Sequence, residues 1–252
     1  MTLRKALFTL GAAALSVSAL SNAAFARDVL RVGTEPTFAP FEFLDTETKA
    51  FTGYDMDLIR AVADKAGYDV EIVNMGFDAL IPALTSNTID VIAAGVSITE
   101  ERAKRVDFTT PYYTTGLSIL VQKKDVDTIK TMKDLEGKRI AVQIGTTGAE
   151  KAKSIEGAKV VSFNTTSDAF MDLAQGGCDA VILDRPVIAY YLKNQPRAAK
   201  RVQLQPGVED AADFGFAVKK GNTELLQKLN AALKAVNDSG EGKQIFDKYF
   251  SE

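Results

Sequence analysis

The sequence predicts an α/β protein made of two lobes, with two parallel-rich sheets joined by a two-strand hinge. Strand-like apolar segments alternate with amphipathic helical segments, a pattern typical of mainly parallel sheets covered by helices on both faces. The alternation is interrupted over residues 112–116 and then starts again, and the chain crosses back near residues 211–214. Two units that are joined twice define a hinge, and the cleft between them is the expected ligand site.

The first predicted unit alternates short strands with helices. Residues 34–43 are expected to form an irregular, aromatic-rich loop, because this segment contains two prolines. Apolar spacing and the capping residues Gly67 and Thr99 predict the other elements. Asp55 is interpreted as part of the start of a core-packing helix. The elements are strands over 29–33, 70–73 and 90–94, helices over 55–66 and 77–84, and a helical turn over 100–105.

The second predicted unit repeats this alternation. A helix is expected to begin with Pro186 at its N1 position, and one continuous strand is expected over residues 211–218. Two amphipathic helices, over 224–236 and 243–249, close the chain. The remaining elements are strands over 117–121, 139–142, 159–163, 179–183 and 202–204, and helical segments over 132–135, after residue 148 and over 167–175.

The composition excludes several classes of function. The 252-residue chain has a formal net charge of −3 and no block of Lys and Arg, which argues against nucleic acid as the main partner. It contains no histidine, which excludes Ser-His and Cys-His nucleophile pairs and His-ligated metals. Cys178 is the only cysteine, so it has no intramolecular disulfide partner and is expected to be a small buried residue. No metal and no cofactor are expected.

Residues 1–26 have the organisation of a signal peptide. Two basic residues precede an apolar stretch over 6–20, and Ala24-Phe25-Ala26 matches an A-x-A cleavage signal. A membrane anchor is the alternative, but the apolar stretch is short for a bilayer span. No cysteine follows the stretch, which disfavours a lipoprotein. The mature chain is expected to begin near Arg27 and to be a soluble, exported protein.

Four polar or aromatic stretches fall where predicted strands end, namely 35–38, 95–102, 143–147 and Asp184. Ligands of parallel sheets bind at the carboxyl ends of the strands, so these stretches are expected to meet in the cleft. Arg102 lies in the first turn of a helix, where free N–H groups and its guanidinium could together hold a carboxylate. The alternative is that Arg102 is a solvated helix residue, and the coincidence of four strand ends favours the ligand-binding interpretation.

Seven short motifs follow one another with characteristic spacing: GTE at 33–35, FAPFEF at 38–43, GYDMDL at 53–58, FDALIPAL at 77–84, SITEER at 97–102, DFTTPYY at 107–113 and GTT at 145–147. Through these motifs the whole mature chain resembles the periplasmic amino-acid-binding proteins of ABC importers. The resemblance implies the type II periplasmic-binding-protein fold and a monomer that captures a polar L-amino acid and delivers it to a membrane permease. The implied division is a signal peptide at 1–26, lobe 1 at 27–111 and 215–252, the hinge at 112–116 and 211–214, and lobe 2 at 117–210.

The resemblance implies a role for two charged residues and their neighbours. Arg102 corresponds to the residue that holds the ligand α-carboxylate, helped by the backbone N–H groups of Ser97 and Thr147. Asp184 corresponds to the partner of the α-ammonium, with the Gly95 carbonyl and the Ser97 hydroxyl nearby. A zwitterion removed from water needs both of its charges paired. The alternative for Asp184 is an N-cap of the following helix.

The resemblance also implies how the ligand side chain is held. Phe38 and Phe77 correspond to two aromatic walls around the aliphatic stem, although the residues by themselves favour a core position. Glu35 corresponds to an acid that meets the ligand side chain, and Gln143 stands where glutamine-selective relatives often carry lysine. The remaining negative charge favours arginine, with glutamine close behind, because Glu35 and Gln143 could also satisfy a carboxamide. A dicarboxylic ligand is disfavoured, since Glu35 would face a like charge.

A second class of function shares this fold. Exported cyclohexadienyl dehydratases, which act on prephenate or arogenate, keep the carboxylate-binding arginine and add a catalytic acid, a role that Glu35 could fill. Phe38 and Phe77 occupy the space that such a ring would need, and the cleft offers no other acid–base partner. The sequence therefore favours a binding protein over an enzyme.

Overall fold

The computed structural model describes residues 27–251 and has an α/β fold with two main sheets, which confirms the predicted fold class. The predicted signal peptide, residues 1–26, lies outside the described residues. Within 27–251, no helix is both long enough and apolar enough to cross a bilayer. We call the part of the chain around the first sheet lobe 1 and the part around the second sheet lobe 2.

The predicted alternation of strands and helices is present along the described chain. In chain order, the strands are β1 (Asp28–Thr34), β2 (Thr37–Phe38), β3 (Glu42–Leu44), β4 (Phe51–Thr52), β5 (Tyr68–Asn74), β6 (Val91–Ile92), β7 (Val106–Phe108), β8 (Tyr113–Gln122), β9 (Arg139–Gln143), β10 (Lys159–Phe163), β11 (Ala180–Asp184), β12 (Val202–Leu204), β13 (Glu209–Phe214) and β14 (Ala217–Lys219). The helices are α1 (Tyr54–Ala66), α2 (Phe77–Thr85), α3 (Glu100–Ala103), α4 (Thr147–Ser154), α5 (Thr166–Gln175), α6 (Arg185–Asn194), α7 (Thr223–Asp238) and α8 (Glu241–Phe250), with short 3₁₀ turns at Lys123–Asp125 and Met132–Leu135.

The sheet of lobe 1 has the order β5-β1-β6-β14-β7. β5, β1 and β6 are parallel, whereas β14 arrives from lobe 2 and runs antiparallel to both of its neighbours. Helix α1 covers this sheet because Leu58, Ile59 and Val62 recur at helical spacing and are buried. The helix ends where Gly67 adopts a left-handed conformation with φ of 85°, as its glycine stop predicts.

The segment predicted as an irregular loop over 34–43 contains regular structure, so that prediction is wrong. It carries β2 and the start of β3, which pair antiparallel with each other, and β3 also pairs antiparallel with β4 in a small three-stranded sheet. Burial of the rings of Phe38 and Phe41 fixes this hairpin against lobe 1 despite its prolines. The prolines in the sequence therefore predicted where the chain bends, but not that the segments between the bends pair as strands.

The sheet of lobe 2 has the order β10-β9-β11-β8-β12, with β13 paired along β8. β10, β9 and β11 are parallel, and β8, β12 and β13 are antiparallel to their neighbours. Helices α4, α5 and α6 pack against these strands. Helix α6 begins after Asp184, so Pro186 stands at N2 and not at the predicted N1 position.

The two crossings between the lobes run side by side. β8 and β13 are antiparallel, with Tyr113 opposite Phe214 and Thr114 opposite Asp213. The single strand predicted over 211–218 is wrong, because the chain leaves the second sheet at Gly215 and enters the first sheet as β14. At Gly215 an added Cβ would lie 3.0 Å from Ile98 Cδ1 and 3.3 Å from the Thr109 carbonyl oxygen, so a larger residue would require these neighbours to shift. The exact lobe and hinge boundaries stay a prediction.

An aromatic cluster packs at the base of these crossings. The Phe41 ring lies 4.9 Å from that of Tyr113 and 5.2 Å from that of Phe214, measured between centroids. Phe250 of the last helix lies 5.4 Å from the same ring. Offset and edge-to-face rings at these separations attract one another beyond their buried area. The cluster ties the end of the chain to the point where both crossings leave lobe 1.

Candidate functional site

A small cavity lies between the lobes, where strands of both sheets end. β6 leads to Gly95, β9 ends at Gln143 and β11 ends at Asp184, as expected for ligand sites of parallel sheets. Eight of the nine residues predicted for the site line this cavity, and Glu35 contacts one of them. The lining residues are Phe38, Phe77, Gly95, Ser97, Arg102, Gln143, Thr146, Thr147 and Asp184.

Arg102 is buried in this cavity, with only 8 % of its surface exposed, so the surface-residue alternative is wrong. The hydroxyl of Thr99 caps α3 by accepting from the Arg102 backbone N–H at 3.2 Å, as predicted. The guanidinium donates to the carbonyl of Ser97 at 3.0 Å and to the carbonyl of Gly145 at 3.1 Å. These bonds use two of its five N–H groups. The others remain for a carboxylate.

The charge of Arg102 persists despite burial. Burial lowers the pKa of the guanidinium, and the nearby carboxylates of Glu150 and Asp184 act in the opposite direction. An arginine side chain does not lose its proton in a protein. The Cζ atom of Arg102 also lies 5.5 Å from the centroid of the Phe77 ring, a cation–π arrangement that orients the guanidinium plane.

Asp184 stands on the opposite wall, at the end of β11, and is 6 % exposed. It occupies the N-cap position of α6, but within residues 27–251 its side chain makes no capping hydrogen bond. The N-cap alternative therefore describes its position and not its hydrogen bonding. Burial raises the pKa of Asp184 to about 7, and the Thr115 hydroxyl and the Arg102 charge oppose this shift. The carboxylate would be stabilised by a cation in the cavity.

Two phenylalanines from lobe 1 form the apolar part of the cavity. Phe77 begins α2 and Phe38 ends β2. Phe38 is also part of the core, with its ring 5.7 Å from Phe41 and 6.4 Å from Phe214. Phe38 is therefore both a core residue and part of the cavity wall.

Gly95 brings the backbone close to this wall. It has φ of 55°, and an added Cβ would lie 2.7 Å from Phe38 Cε1. A side chain at this position would collide with the ring and would also adopt a left-handed conformation that favours glycine.

Glu35 lies behind Gln143 at one end of the site. Its Oε2 accepts from the Thr37 hydroxyl at 2.7 Å and from Gln143 Nε2 at 2.8 Å. Gln143 also donates to the carbonyl of Asn164 at 3.1 Å. Burial raises the pKa of Glu35, while the bonds from Thr37 and Gln143 lower it and the Asp168 charge raises it. This end of the site is rich in acceptors and negative charge.

Several contacts hold the two lobes together across the cleft. Arg102 and Glu35 of lobe 1 bond to Gly145 and Gln143 of lobe 2, as described above. At the start of α5, the Thr166 hydroxyl donates to the Thr37 carbonyl, and the Thr166 N–H donates to the Thr37 hydroxyl at 3.2 Å. The lobes are therefore closed on one another.

Thr146 lines the cavity but was not among the residues predicted for the site. It is the N-cap of α4, where its hydroxyl accepts from the Ala149 N–H at 3.1 Å and donates to the Gln143 carbonyl at 2.8 Å. The signal was present in the sequence, since a threonine before a helix start is a preferred N-cap. Capping places Thr146 at the cavity beside the predicted Thr147.

Other candidate chemistry is not found in the described part of the chain. Among residues 27–251, no group of three or more His, Cys, Asp or Glu side chains is placed to hold a metal ion. Cys178 is buried as predicted, and burial raises the pKa of its thiol to about 12. A thiol with this pKa is not reactive near neutral pH.

These features define the class of protein. Two lobes close over a small cavity that presents a buried guanidinium on one wall and a buried carboxylate on the other, in the manner of a solute-binding protein for a zwitterion. The model of the bacterial extracellular solute-binding proteins, family 3, matches residues 30–252. The chain belongs to this family.

Several known proteins are similar to this chain over most of its length. The L-arginine-binding protein of Pseudomonas aeruginosa is 38% identical, with 98% of this chain and 97% of that protein covered. An ancestral arginine-binding protein, solved bound to arginine, is 43% identical with a TM-score of 0.85, over 90% of this chain and 100% of that one. An ancestral arginine-binding protein solved bound to glutamine is 43% identical with a TM-score of 0.82, over 90% of this chain and 100% of that one. The ancestral amino acid-binding protein AncCDT-1, a precursor of cyclohexadienyl dehydratase, is 38% identical with a TM-score of 0.81, over 88% and 96%.

Proposed function

We propose that the protein captures free L-arginine in the periplasm and delivers it to the membrane permease of an ABC importer. It acts as a monomer and as a binding protein, and it returns its ligand unchanged. The family and the relatives named for arginine binding support an amino-acid ligand. The periplasmic location follows from the family and from the export signal predicted at residues 1–26.

The charge balance of the cleft is the observation that carries this proposal. Among the described residues that line the cavity, Arg102 is the only cation, and it faces Asp184 on the other wall. A bound amino acid pairs both of these charges with its own carboxylate and ammonium. Glu35 is then left over at the far end, buried and negative. A guanidinium can satisfy that carboxylate with a charge-assisted bond.

We assign the cavity residues to the parts of the ligand as follows. Arg102 and the backbone N–H groups of Ser97 and Thr147 hold the α-carboxylate. Asp184 and the Gly95 carbonyl hold the α-ammonium, together with the Ser97 hydroxyl.

The rings of Phe38 and Phe77 enclose the aliphatic stem of the ligand. Glu35 and Gln143 meet its terminal group. These walls exclude water, and each polar contact inside them is therefore stronger than it would be at the surface.

Glutamine is the competing ligand for the same site. The Glu35 carboxylate and the Gln143 amide offer one acceptor and one donor for a carboxamide, and ancestral arginine-binding proteins have been solved with each of the two amino acids. Glu35→Gln separates the two ligands, because bonds to charged groups contribute about 1.5–3 kcal/mol. Arginine affinity should fall by about one to two decades. Glutamine affinity should change by about one decade or less, since an amide oxygen can replace the carboxylate as acceptor.

Calorimetry with arginine, glutamine and leucine on wild type and Glu35→Gln tests this assignment. Glu71→Gln removes the same charge from an exposed position on β5 of the same lobe, and it should leave all three affinities unchanged. A wild-type protein that binds arginine no better than leucine would defeat the proposed function.

A dehydratase remains the second candidate, supported by the similarity to AncCDT-1 and by the buried acid Glu35, whose pKa is raised. Incubation of the protein with prephenate or arogenate distinguishes the two, because a dehydratase makes a new aromatic chromophore. A binding protein leaves the absorbance unchanged. An aromatic product that depends on Glu35 would replace the proposed function with an enzymatic one.

A further inference from the structure

Asp55 is a fully buried carboxylate in the first turn of α1 that the assignment of the cavity does not use. One of its oxygens, Oδ2, accepts two hydrogen bonds. The Gly95 backbone N–H donates at 2.8 Å and the Tyr112 hydroxyl donates at 2.6 Å. The other oxygen, Oδ1, has no hydrogen-bond partner among residues 27–251. The bonding of this carboxylate is therefore concentrated on Gly95 and Tyr112.

The first of these partners lies in the binding cavity. Gly95 lines the cavity and carries the carbonyl that we assign to the ligand ammonium. Its N–H donates to Asp55 instead of to a strand, because β6 ends at Ile92 and the chain turns through a left-handed glycine. The orientation of the Gly95 peptides relative to the cavity therefore depends on the side chain of Asp55.

The second partner lies where the chain leaves lobe 1. Tyr112 directly precedes β8, and its N–H donates to the carbonyl of Phe214 on the returning crossing at 3.0 Å. Its ring stacks on Phe216 with centroids 4.5 Å apart. The Tyr112 backbone is thus anchored to both crossings, and its hydroxyl points back to Asp55.

We propose that Asp55 is the positioning residue of the ammonium pocket, which holds the Gly95 loop in its binding conformation by tying it through Tyr112 to the crossings between the lobes. This inference rests on the proposed capture of arginine. It adds a residue that does not touch the ligand and acts through Gly95. A charged acceptor suits this role, because charge-assisted hydrogen bonds are roughly twice as strong as neutral ones.

Asp55→Asn tests the proposal, since it keeps the shape of the side chain and weakens both bonds. Affinities are measured by competition for arginine and for 5-guanidinopentanoic acid, which is arginine without its α-amino group. We expect Asp55→Asn to weaken arginine about tenfold and to change the amino-free analogue less than about threefold, because only arginine uses the ammonium pocket. A purely structural role would weaken both ligands by the same factor.

Asp57→Asn is a matched control on the same helix. Asp57 also accepts from a tyrosine hydroxyl at 2.6 Å, but that tyrosine is Tyr249 of α8, away from the cavity. We expect both affinities of Asp57→Asn to stay within about threefold of wild type. If it reproduced the selective loss of Asp55→Asn, the effect would belong to the charge of the helix start and the proposal would be overturned.

Tyr112→Phe keeps the test decisive if Asp55→Asn does not fold. It removes one donor from Asp55 and leaves the carboxylate and the Gly95 bond in place. We expect a selective weakening of arginine by about threefold relative to the amino-free analogue, and equal losses would overturn the proposal. A wild-type protein that does not bind arginine would instead defeat the proposed function, so the two failures are distinct.

Discussion

The two lobes share one architecture but present different chemistry to the cleft. Each has three parallel strands, β5-β1-β6 in lobe 1 and β10-β9-β11 in lobe 2, extended by antiparallel strands from the crossings. Lobe 1 supplies two aromatic rings and the guanidinium of Arg102. Lobe 2 supplies an amide, two threonines and the carboxylate of Asp184, and none of its described lining residues is aromatic. A shared fold therefore places side chains at strand ends without dictating which chemistry they carry.

The difference indicates that the two lobes contact different parts of the ligand. Under the proposed function, the apolar walls and the guanidinium of lobe 1 would hold the stem and the carboxylate of the amino acid before the lobes meet. Lobe 2 would add the partner of the ammonium when the cleft closes. The isolated charges on both walls are costly to bury, and breaking a buried pair leaves an uncompensated charge. Changes in lobe 1 should therefore weaken binding most, changes at Asp184 in lobe 2 should weaken binding and flatten its dependence on pH, and changes between the lobes should weaken it slightly.

The largest effect is expected for Arg102→Ala in lobe 1. The ligand carboxylate would lose its buried partner, at a cost of about 3–5 kcal/mol or two to four decades in affinity. Calorimetry with arginine measures the loss, and circular dichroism checks that the variant is folded. Arg105→Ala removes an exposed guanidinium from the residues just after the same helix and should bind normally. Near-normal binding by folded Arg102→Ala would show that the ligand carboxylate is not recognised by Arg102 of lobe 1.

A smaller effect, with a distinct pH signature, is expected from Asp184 in lobe 2. Burial raises its pKa to about 7 in the folded protein, above the usual value of 3.8. The folded protein without ligand therefore holds more protons than the unfolded chain between these values, and the contribution of Asp184 to stability falls as pH rises through this window. A bound ammonium favours the carboxylate and reverses that preference. Arginine should bind more tightly at pH 8 than at pH 5, by about two decades if Asp184 acts alone.

Calorimetry from pH 5 to pH 8 on wild type and Asp184→Asn measures this slope. Asp184→Asn should bind weakly at every pH with a flatter profile. A residual slope is expected from Glu35, whose pKa is also raised by burial. Asp179→Asn, just before β11, is the matched control and should keep the wild-type profile. A wild-type affinity that does not change between pH 5 and pH 8 would contradict the assignment of Asp184 to the ammonium.

The smallest effect is expected at the contact between the lobes. Thr166 is 1 % exposed and bonds through its hydroxyl to Thr37 of the other lobe. Thr166→Val keeps the shape and removes that bond, at a cost of about 1 kcal/mol to the closed form. Arginine affinity should fall about fivefold. In small-angle scattering, the Thr166→Val protein should also need a higher arginine concentration than wild type to reach the compact radius of gyration.

Ser167→Ala is the neighbouring control, because this exposed side chain lies in the next position of α5. It should leave both the affinity and the scattering unchanged. A Thr166→Val protein with unaltered affinity would mean that the polar contacts within the cavity suffice for closure, and that the division between the lobes lies in the cavity alone.

Much of the fold was predictable because its signals are local. The apolar residues of α1 recur at helical spacing and Gly67 stops the helix, so the predicted and observed helices differ by one residue at the start. Thr99 was identified as an N-cap from the residues beside it. The prediction of a single strand over 211–218 was wrong because no local residue indicates which sheet each half joins. The prediction of an irregular loop over 34–43 was wrong because the strands of this segment depend on pairing within the sheet that includes β4.

The sequence by itself determined the alternation of elements, the helix caps and the candidate residues at strand ends, because these follow from periodicity and from backbone capping between near neighbours. Only the tertiary structure decided that Arg102 is buried, since its partner Gly145 belongs to the other lobe. It also changed Asp55 from a helix-start residue into the acceptor of Gly95 and Tyr112. Contacts of this kind join residues 40 or more positions apart, and their formation depends on how the two sheets pack and close, which no local pattern encodes.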